Sequence, residues 1–213
     1  MEENLIYKGD TVRGVYTLDV FNPDKLYFTS DTHFGHFNIC KYCHRPFSSR
    51  ADMDKTLLAN WNKTVPEDGV VVHCGDFMLN HKVDTTAYLK YMWKLNGKIL
   101  LLRGNHDYID LNTEENEKLI AVVDKAFIMV DSIKIYAEHY PCTAFNGDYQ
   151  VFGHIHTLKD GTCYGIDGDV TRKLKKNQYD VGMDQNGYRP ISYWEVCDIF
   201  RKKACNEDVK HEH

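Results

Sequence analysis

The chain has 213 residues, 43% of them apolar, a net charge of -5 and a pI near 6.1. That length and composition suit one soluble globular domain, residues 1–213, with a sizeable core. The acidity weighs against a protein that coats nucleic acid, which needs a basic footprint, and no apolar run approaches membrane-spanning length.

The N-terminus opens Met-Glu-Glu-Asn, with no basic segment followed by an apolar one, so no signal peptide is expected. The seven cysteines are scattered and read as free thiols of a reducing compartment, which makes a cytoplasmic location the expectation. Residues 4–20 read as strands around a turn at Gly9-Asp10, and Asn22-Pro23-Asp24 makes a second turn. A βα unit starts at Leu26, where Leu26-Tyr27-Phe28-Thr29-Ser30 runs into Asp31-Thr32-His33. Residues 49–63 carry Met53, Leu57, Leu58 and Trp61 at helical spacing. The run Val70-Val71-Val72-His73-Cys74 then leads into Gly75-Asp76, and a helix is expected over 84–95, closed by Asn96-Gly97.

Leu100-Leu101-Leu102 stops at Arg103-Gly104 and presents Asn105, His106 and Asp107. Residues 113–123 are expected to be helical, with Thr113 as N-cap and Glu114 and Glu115 in the first turn. Strands are expected over 127–130 and 133–137, the second ending at Glu138-His139-Tyr140-Pro141, and again before Gly153-His154-Ile155-His156. Residues 157–180 read as loops with one short strand near Tyr164 and a basic cluster at 172–176, which a solvated loop explains better than an acidic partner. Ser192-Tyr193-Trp194-Glu195 is a capping box that opens a last helix. Strands first alternate with helices and later follow one another, which points to mixed sheets.

Each of these apolar runs delivers metal-ligand residue types at a strand end, where open α/β sheets bind ligands. Asp31 and His33 are two apart, so an extended backbone would send both to one side, and His154 and His156 repeat the pattern. Carboxylate and imidazole together suit Mn, Fe, Co, Ni or Zn. Asp76 can bridge two ions through its two oxygens; Asn105 offers a carbonyl and His139 a further nitrogen. Two dications, two carboxylates and a hydroxide leave the site net positive and fit to hold an anion. Ions about 4 Å apart can clamp a phosphoryl group and activate water. A lone histidine is more often structural or exposed, and His44, His73, His81, His211 and His213 read that way.

Asp-x-His, Gly-Asp, Gly-Asn-His-Asp, a lone His and Gly-His-x-His, in that order from Asp31 to His156, resemble the signature of calcineurin-like metallophosphoesterases. Ser30-Asp31-Thr32-His33-Phe34-Gly35-His36, Arg45-Pro46-Phe47, His139-Tyr140-Pro141, Val181-Gly182-Met183-Asp184 and Tyr188-Arg189-Pro190 are similar to a bacterial and phage subgroup of small stand-alone phosphoesterases. The resemblance implies an α/β, four-layer sandwich of two mixed β-sheets flanked by α-helices. It implies two divalent ions, the first on Asp31, His33, Asp76 and His156, the second on Asp76, Asn105, His139 and His154, with His106 as the catalytic histidine. Many members follow the Gly-Asp motif with a charged residue; here Phe77-Met78-Leu79 follow, so their substrates are no guide. Asp107 is a candidate to orient His106, a helix-start acid being the plainer alternative. His36 and Arg45 are candidates to reach substrate oxygens, against plain structural roles.

Cys40-Lys41-Tyr42-Cys43-His44 matches a haem-attachment pattern. That chemistry belongs outside the cytoplasm, and a zinc site would need two further ligands that no nearby pair supplies. The expected activity is hydrolysis of a phosphomonoester or phosphodiester on a small phosphorylated substrate. The alternatives are a metal-binding interaction scaffold on the same fold, like the retromer subunit that resembles these enzymes, and a nuclease. A scaffold should lack ligands or the catalytic histidine; a nuclease should carry a basic groove.

Overall fold

The computed structural model describes residues 6–12, 15–79, 85–108, 116–159, 162–163 and 174–208. In chain order they form β1 (Tyr7–Val12), β2 (Val15–Val20), a 3-10 turn (Pro23–Lys25), β3 (Leu26–Thr29), α1 (Asn38–Tyr42), α2 (Arg50–Thr64), β4 (Val70–His73), α3 (Thr85–Met92) and β5 (Lys98–Leu102). There follow β6 (Leu119–Val123), β7 (Lys125–Val130), β8 (Ile133–Glu138), β9 (Tyr149–Phe152), β10 (Gln178–Asp180), β11 (Ile191–Ser192) and α4 (Tyr193–Asp208).

The strands form two sheets, one ordered β1-β2-β7-β8-β9-β10 and the other β11-β3-β4-β5-β6. Both are mixed. In the second sheet β3, β4, β5 and β6 run parallel and β11 is antiparallel to β3. In the first, β8, β9 and β10 run parallel, and β7 is antiparallel to β8.

The alternation along β4 and β5 explains the layering, because successive side chains of a strand point to opposite faces. Val70, Val72, Leu100 and Leu102 turn inward against Ala126, Ile128, Ile135, Ala137 and Val151 of the facing sheet. Val71, Ile99 and Leu101 turn outward beneath Met53, Leu57, Trp61, Tyr88 and Met92 of α2 and α3. A strand segment buried on both faces is near-continuously apolar, as Val70–Val72 and Ile99–Leu102 are. Each of the fully buried valines, leucines, isoleucines and methionines contributes about 1.5–3 kcal/mol.

The helix ends are as the sequence indicates. Ser49 accepts from the Asp52 amide at 3.1 Å and starts α2. Ser192 and Glu195 bond reciprocally, Ser192 N donating to Glu195 Oε2 at 2.8 Å and Glu195 N to Ser192 Oγ at 3.3 Å, and α4 begins there.

Three expectations are overturned. The stretch 157–180, read as loops with one short strand near Tyr164, ends in the strand β10, Gln178–Asp180, paired parallel with β9. Gly9 and Asp10 lie inside β1, and the chain reverses between Val12 and Val15. β1 is an edge strand exposed from Lys8 onward, and the Tyr16 side chain of β2 lies over Gly9 where a Cβ would stand. Leu119–Val123 is a strand, β6, paired parallel with β5, and not the end of a helix. A short continuous apolar run fits either period, and its β-branched residues and its length favour the strand. The expected N-cap Thr113, the strand near Tyr164, Arg172, Lys173, His81, His211 and His213 lie outside the described residues.

Candidate metal centre

Three parallel strands from each sheet end at the same edge of the molecule, and their following loops interlock. Asp31 N donates to Gly75 O at 2.9 Å and His33 N to Asp76 O at 3.0 Å, joining the loops after β3 and β4. Met183 N donates to Ser30 O at 3.1 Å, joining the loop after β10 to the other sheet. The fit leaves no room for side chains at the glycines: a Cβ on Gly75 would lie 2.6 Å from both the Gly104 nitrogen and His139 Nδ1, and one on Gly104 would run into the Asp76 carboxylate.

Five of the expected ligands have left-handed backbones: Asp31 (φ 55°), His33 (49°), Asp76 (55°), His154 (72°) and His156 (48°). The extended geometry expected for the Asp-x-His and His-x-His pairs is therefore absent; the loops turn sharply just after each strand and converge the side chains that way. Such conformations are costly outside glycine and persist where the surroundings hold them.

The ligand types gather in two groups. Asp31, His33 and His156 form one, and Asp76, His139 and His154 the other. In the first, Asp31 Oδ1 lies 3.8 Å from His33 Nε2 and 3.7 Å from His156 Nε2. Asp76 Oδ2 lies 3.6 Å from His33 Nε2 and 3.5 Å from His139 Nε2, so a single oxygen faces both groups. The other oxygen, Oδ1, is taken by the His106 amide at 2.9 Å. Asp76 thus turns one oxygen, not two, toward the two ligand groups.

These separations are too long for hydrogen bonds and match donors sharing an ion, since tetrahedral ligands about 2.1 Å from a metal are about 3.4 Å apart. Asp31 Oδ1 and both ring nitrogens of His33 are buried without a hydrogen-bond partner. His139 Nδ1 lies 2.7 Å from the Cys74 carbonyl and must donate to it, which leaves Nε2 a lone pair 3.0 Å from Asn105 Oδ1. Burial, reinforced by neighbouring histidines, pushes the His33 imidazole well below its ordinary pKa and His154 to about 4, so both are neutral, as ligands must be. Burial and then the Asp31 charge push the Asp76 carboxyl upward, the strain of placing two acids together with no counter-charge. The residues present fit divalent ions.

A third acid holds the first group in place. Asp184 Oδ2 accepts from His156 Nδ1 at 2.8 Å, turning Nε2 toward Asp31. Arg45 pairs with Asp184 at 2.8 and 3.0 Å and donates to the carbonyls of Asp31 at 2.6 Å and Thr32 at 3.2 Å. Both side chains are wholly buried. Arg45 is therefore not open to a substrate oxygen, contrary to the sequence expectation; its planar fork binds the carboxylate and the loop backbone from inside. In the sequence Asp184 stands only within Val181-Gly182-Met183-Asp184, where nothing local signals its role.

Asp107 is corrected likewise. Its carboxylate accepts from the amides of Asp76 (2.6 Å), Phe77 (3.0 Å) and Gly104 (2.9 Å) and from the Tyr88 hydroxyl (2.8 Å). It shapes the loop that carries Asp76 and does not orient the His106 imidazole. His106 is half-buried, its ring 5.5 Å from His33, and burial lowers its pKa although Asp107 pulls the other way. His36, also half-buried, lies 5.5 Å from His33 and 6.3 Å from His106, at the mouth of the site.

His73 takes the structural role expected of it, buried with Nε2 3.0 Å from Thr32 Oγ1. Cys43 does approach two ligand types, His156 and Asp184, from far away in sequence. His156 Nδ1 already bonds Asp184, which in turn pairs with Arg45, so this trio braces the first group. All seven cysteines are free thiols. Among the described residues no helix is long and apolar enough to cross a membrane.

A family model described as calcineurin-like phosphoesterase matches residues 25–139, from before Asp31 through His139. An uncharacterized protein of Methanocaldococcus jannaschii is 31% identical over 181 residues, 84% of this chain and 92% of that one. Among solved structures, a protein of unknown function from Aquifex aeolicus is similar in fold, with a TM-score of 0.59 at 24% identity over 82% of this chain and 98% of that one.

Proposed function

Because the chain belongs to the calcineurin-like phosphoesterases, metal-dependent hydrolases of phosphoric esters, we propose that it cleaves a phosphomonoester or phosphodiester at a pair of divalent ions that share Asp76. The observation that carries this reading is the placement of Asp76 Oδ2, 3.6 Å from His33 in one ligand group and 3.5 Å from His139 in the other. Asp31, His33, Asp76 and His156 would hold one ion, and Asp76, Asn105, His139 and His154 the second; Mn, Fe, Co, Ni and Zn all suit this donor set. When bound, such a pair draws in the phosphoryl oxygens and makes water a nucleophile at neutral pH.

The chain's own residues do the rest. Asp184 and the Cys74 carbonyl fix the tautomers of His156 and His139, so that Nε2 is the free nitrogen in each. Asp107, through the amides of residues 76 and 77, keeps the shared carboxylate facing both groups. His106 is held by its amide on Asp76 Oδ1, and its imidazole would pass a proton to the departing oxygen. The net charge of -5 supports a small phosphorylated substrate over a long nucleic acid. Every ligand type and His106 are present, which speaks for an enzyme over a scaffold.

The test is a panel of monoester, diester and cyclic-nucleotide substrates assayed with protein stripped of metal and reloaded with each ion in turn. Hydrolysis that appears only on reloading is expected. No metal-dependent hydrolysis of any class would refute the reading.

A further inference from the structure

Three exposed tyrosines surround the metal centre. Tyr140 is 42% exposed, and its ring meets those of two ligands edge-on, 4.9 Å from His139 and 4.6 Å from His154. Tyr108, 61% exposed, follows His106 by two residues in a tight turn closed by Tyr108 N on His106 O at 3.2 Å, and its phenol lies within electrostatic range of that of Tyr140. Tyr42, also 61% exposed, stands on the other side, its ring 6.4 Å from His36, which itself touches His33 and His106.

Other exposed large apolar side chains have different settings. Trp194 donates to Asp24 at 2.7 Å, and Trp93 sits with Gly97 and Lys98 at the opposite end of β5. Several large aromatic rings left in water around one group of functional residues are unusual on a folded surface unless something covers them. Tyrosine in particular offers a flat face with a polar tip, suited to a ligand that is planar and polar at its edges.

We propose that this tyrosine rim stacks a nucleobase, so that the substrate class is a nucleotide whose phosphoester lies at the metal centre. The proposal rests on the phosphoesterase reading above. With the phosphate held among His33, Asp76, His139 and His154, the proposal lays the rest of the nucleotide against Tyr140, beside two of those residues, and toward Tyr42 and Tyr108, beside His36 and His106. A base extends a ribose length beyond the phosphate, which a methyl or short alkyl ester does not. Stacking of a base on one aromatic ring gives about 5- to 150-fold in affinity. It needs no basic groove, which agrees with the acidic chain.

The test compares three p-nitrophenyl phosphodiesters with the same scissile bond and the same charge: the thymidine 5′ ester, the abasic deoxyribose ester and the methyl ester. With metal-loaded protein, the thymidine ester should exceed both others by about tenfold or more in kcat/KM, mainly through KM. Tyr140→Ala, Tyr108→Ala and Tyr42→Ala should bring the thymidine-to-methyl ratio toward one, and the matching Phe variants should keep it. An equal rate on the thymidine and abasic esters would overturn the proposal, since the sugar would then be what is recognised. So would a ratio indifferent to all three Ala variants.

Calorimetric binding of thymidine 5′-monophosphate against methyl phosphate reads the same preference without turnover. A base preference in binding with no hydrolysis would uphold the rim and refute the enzyme; hydrolysis of all three esters at one rate would do the reverse. An oligothymidylate carrying the same 5′ p-nitrophenyl ester separates the two sources of a base. Equal kcat/KM to the thymidine 5′ ester upholds a mononucleotide. A gain with length that collapses in salt upholds the base and assigns it to a strand.

Discussion

Asp184→Asn probes the buried brace behind the first ligand group. The asparagine keeps the shape and removes the charge, leaving the Arg45 guanidinium buried with the carbonyls of Asp31 and Thr32 as acceptors. Breaking a buried ion pair from one side costs about 3–5 kcal/mol, and the two carbonyls put the expected loss near the lower figure, about 3 kcal/mol. Urea unfolding of the metal-free protein reads this directly. The double variant Arg45→Met/Asp184→Leu, which removes both charges, should recover most of the loss. Calorimetric metal titration of Asp184→Asn should show one binding event weakened about 10- to 100-fold through the His156 contact, with the other nearly unchanged.

The same pair sets an acid limb. Burial alone would raise the Asp184 carboxyl, but Arg45 and the His156 bond outweigh it and hold it at about 2, below its ordinary 3.8. Its folded-state pKa is therefore depressed, so its contribution is complete above the unfolded value and is lost as pH falls from about 5 through about 2. That is about 2 kcal/mol, absent from the asparagine variant. A loss below about 1 kcal/mol at neutral pH, or equal weakening of both metal events, would refute the reasoning.

Two other variants test neighbouring parts of the site. Gly104→Ala places a methyl group against the Asp76 carboxylate and nitrogen, and should lower affinity for both ions by at least about tenfold in a metal-release assay. His106→Ala should keep both metals yet lose about 100- to 10,000-fold on alkyl esters, with little loss on p-nitrophenyl esters, whose leaving group needs no proton. Equal loss on both ester types would show that His106 positions the phosphate instead.

The sequence made the strand ends legible because β3, β4 and β5 are buried on both faces and read as unbroken apolar runs before a polar turn. The ligand residue types therefore stood out in chain order, and the structure gathers Asp31, His33, Asp76, Asn105, His139, His154 and His156 at one edge. What brings them together was not legible. Left-handed backbones at Asp31, His33, Asp76, His154 and His156 depend on interlocked loops from six strands, which no local pattern encodes. Arg45 reads as a phosphate-binding residue by type, yet its partner lies 139 residues away, and only the fold shows that its donors point inward. Asp107 sits beside His106 in sequence and turns to the amides of residues 76, 77 and 104 in space. β6 failed for a different reason: five consecutive apolar residues carry no period to separate helix from strand.

The central claim is a shared carboxylate between two ions, and counting ions tests it most directly. Elemental analysis and calorimetry on the metal-loaded protein should give two divalent ions per chain, and Asp76→Asn should weaken both binding events while His33→Ala weakens mainly one. Full activity with a single ion per chain, or an Asp76→Asn protein in which only one event changes, would contradict it.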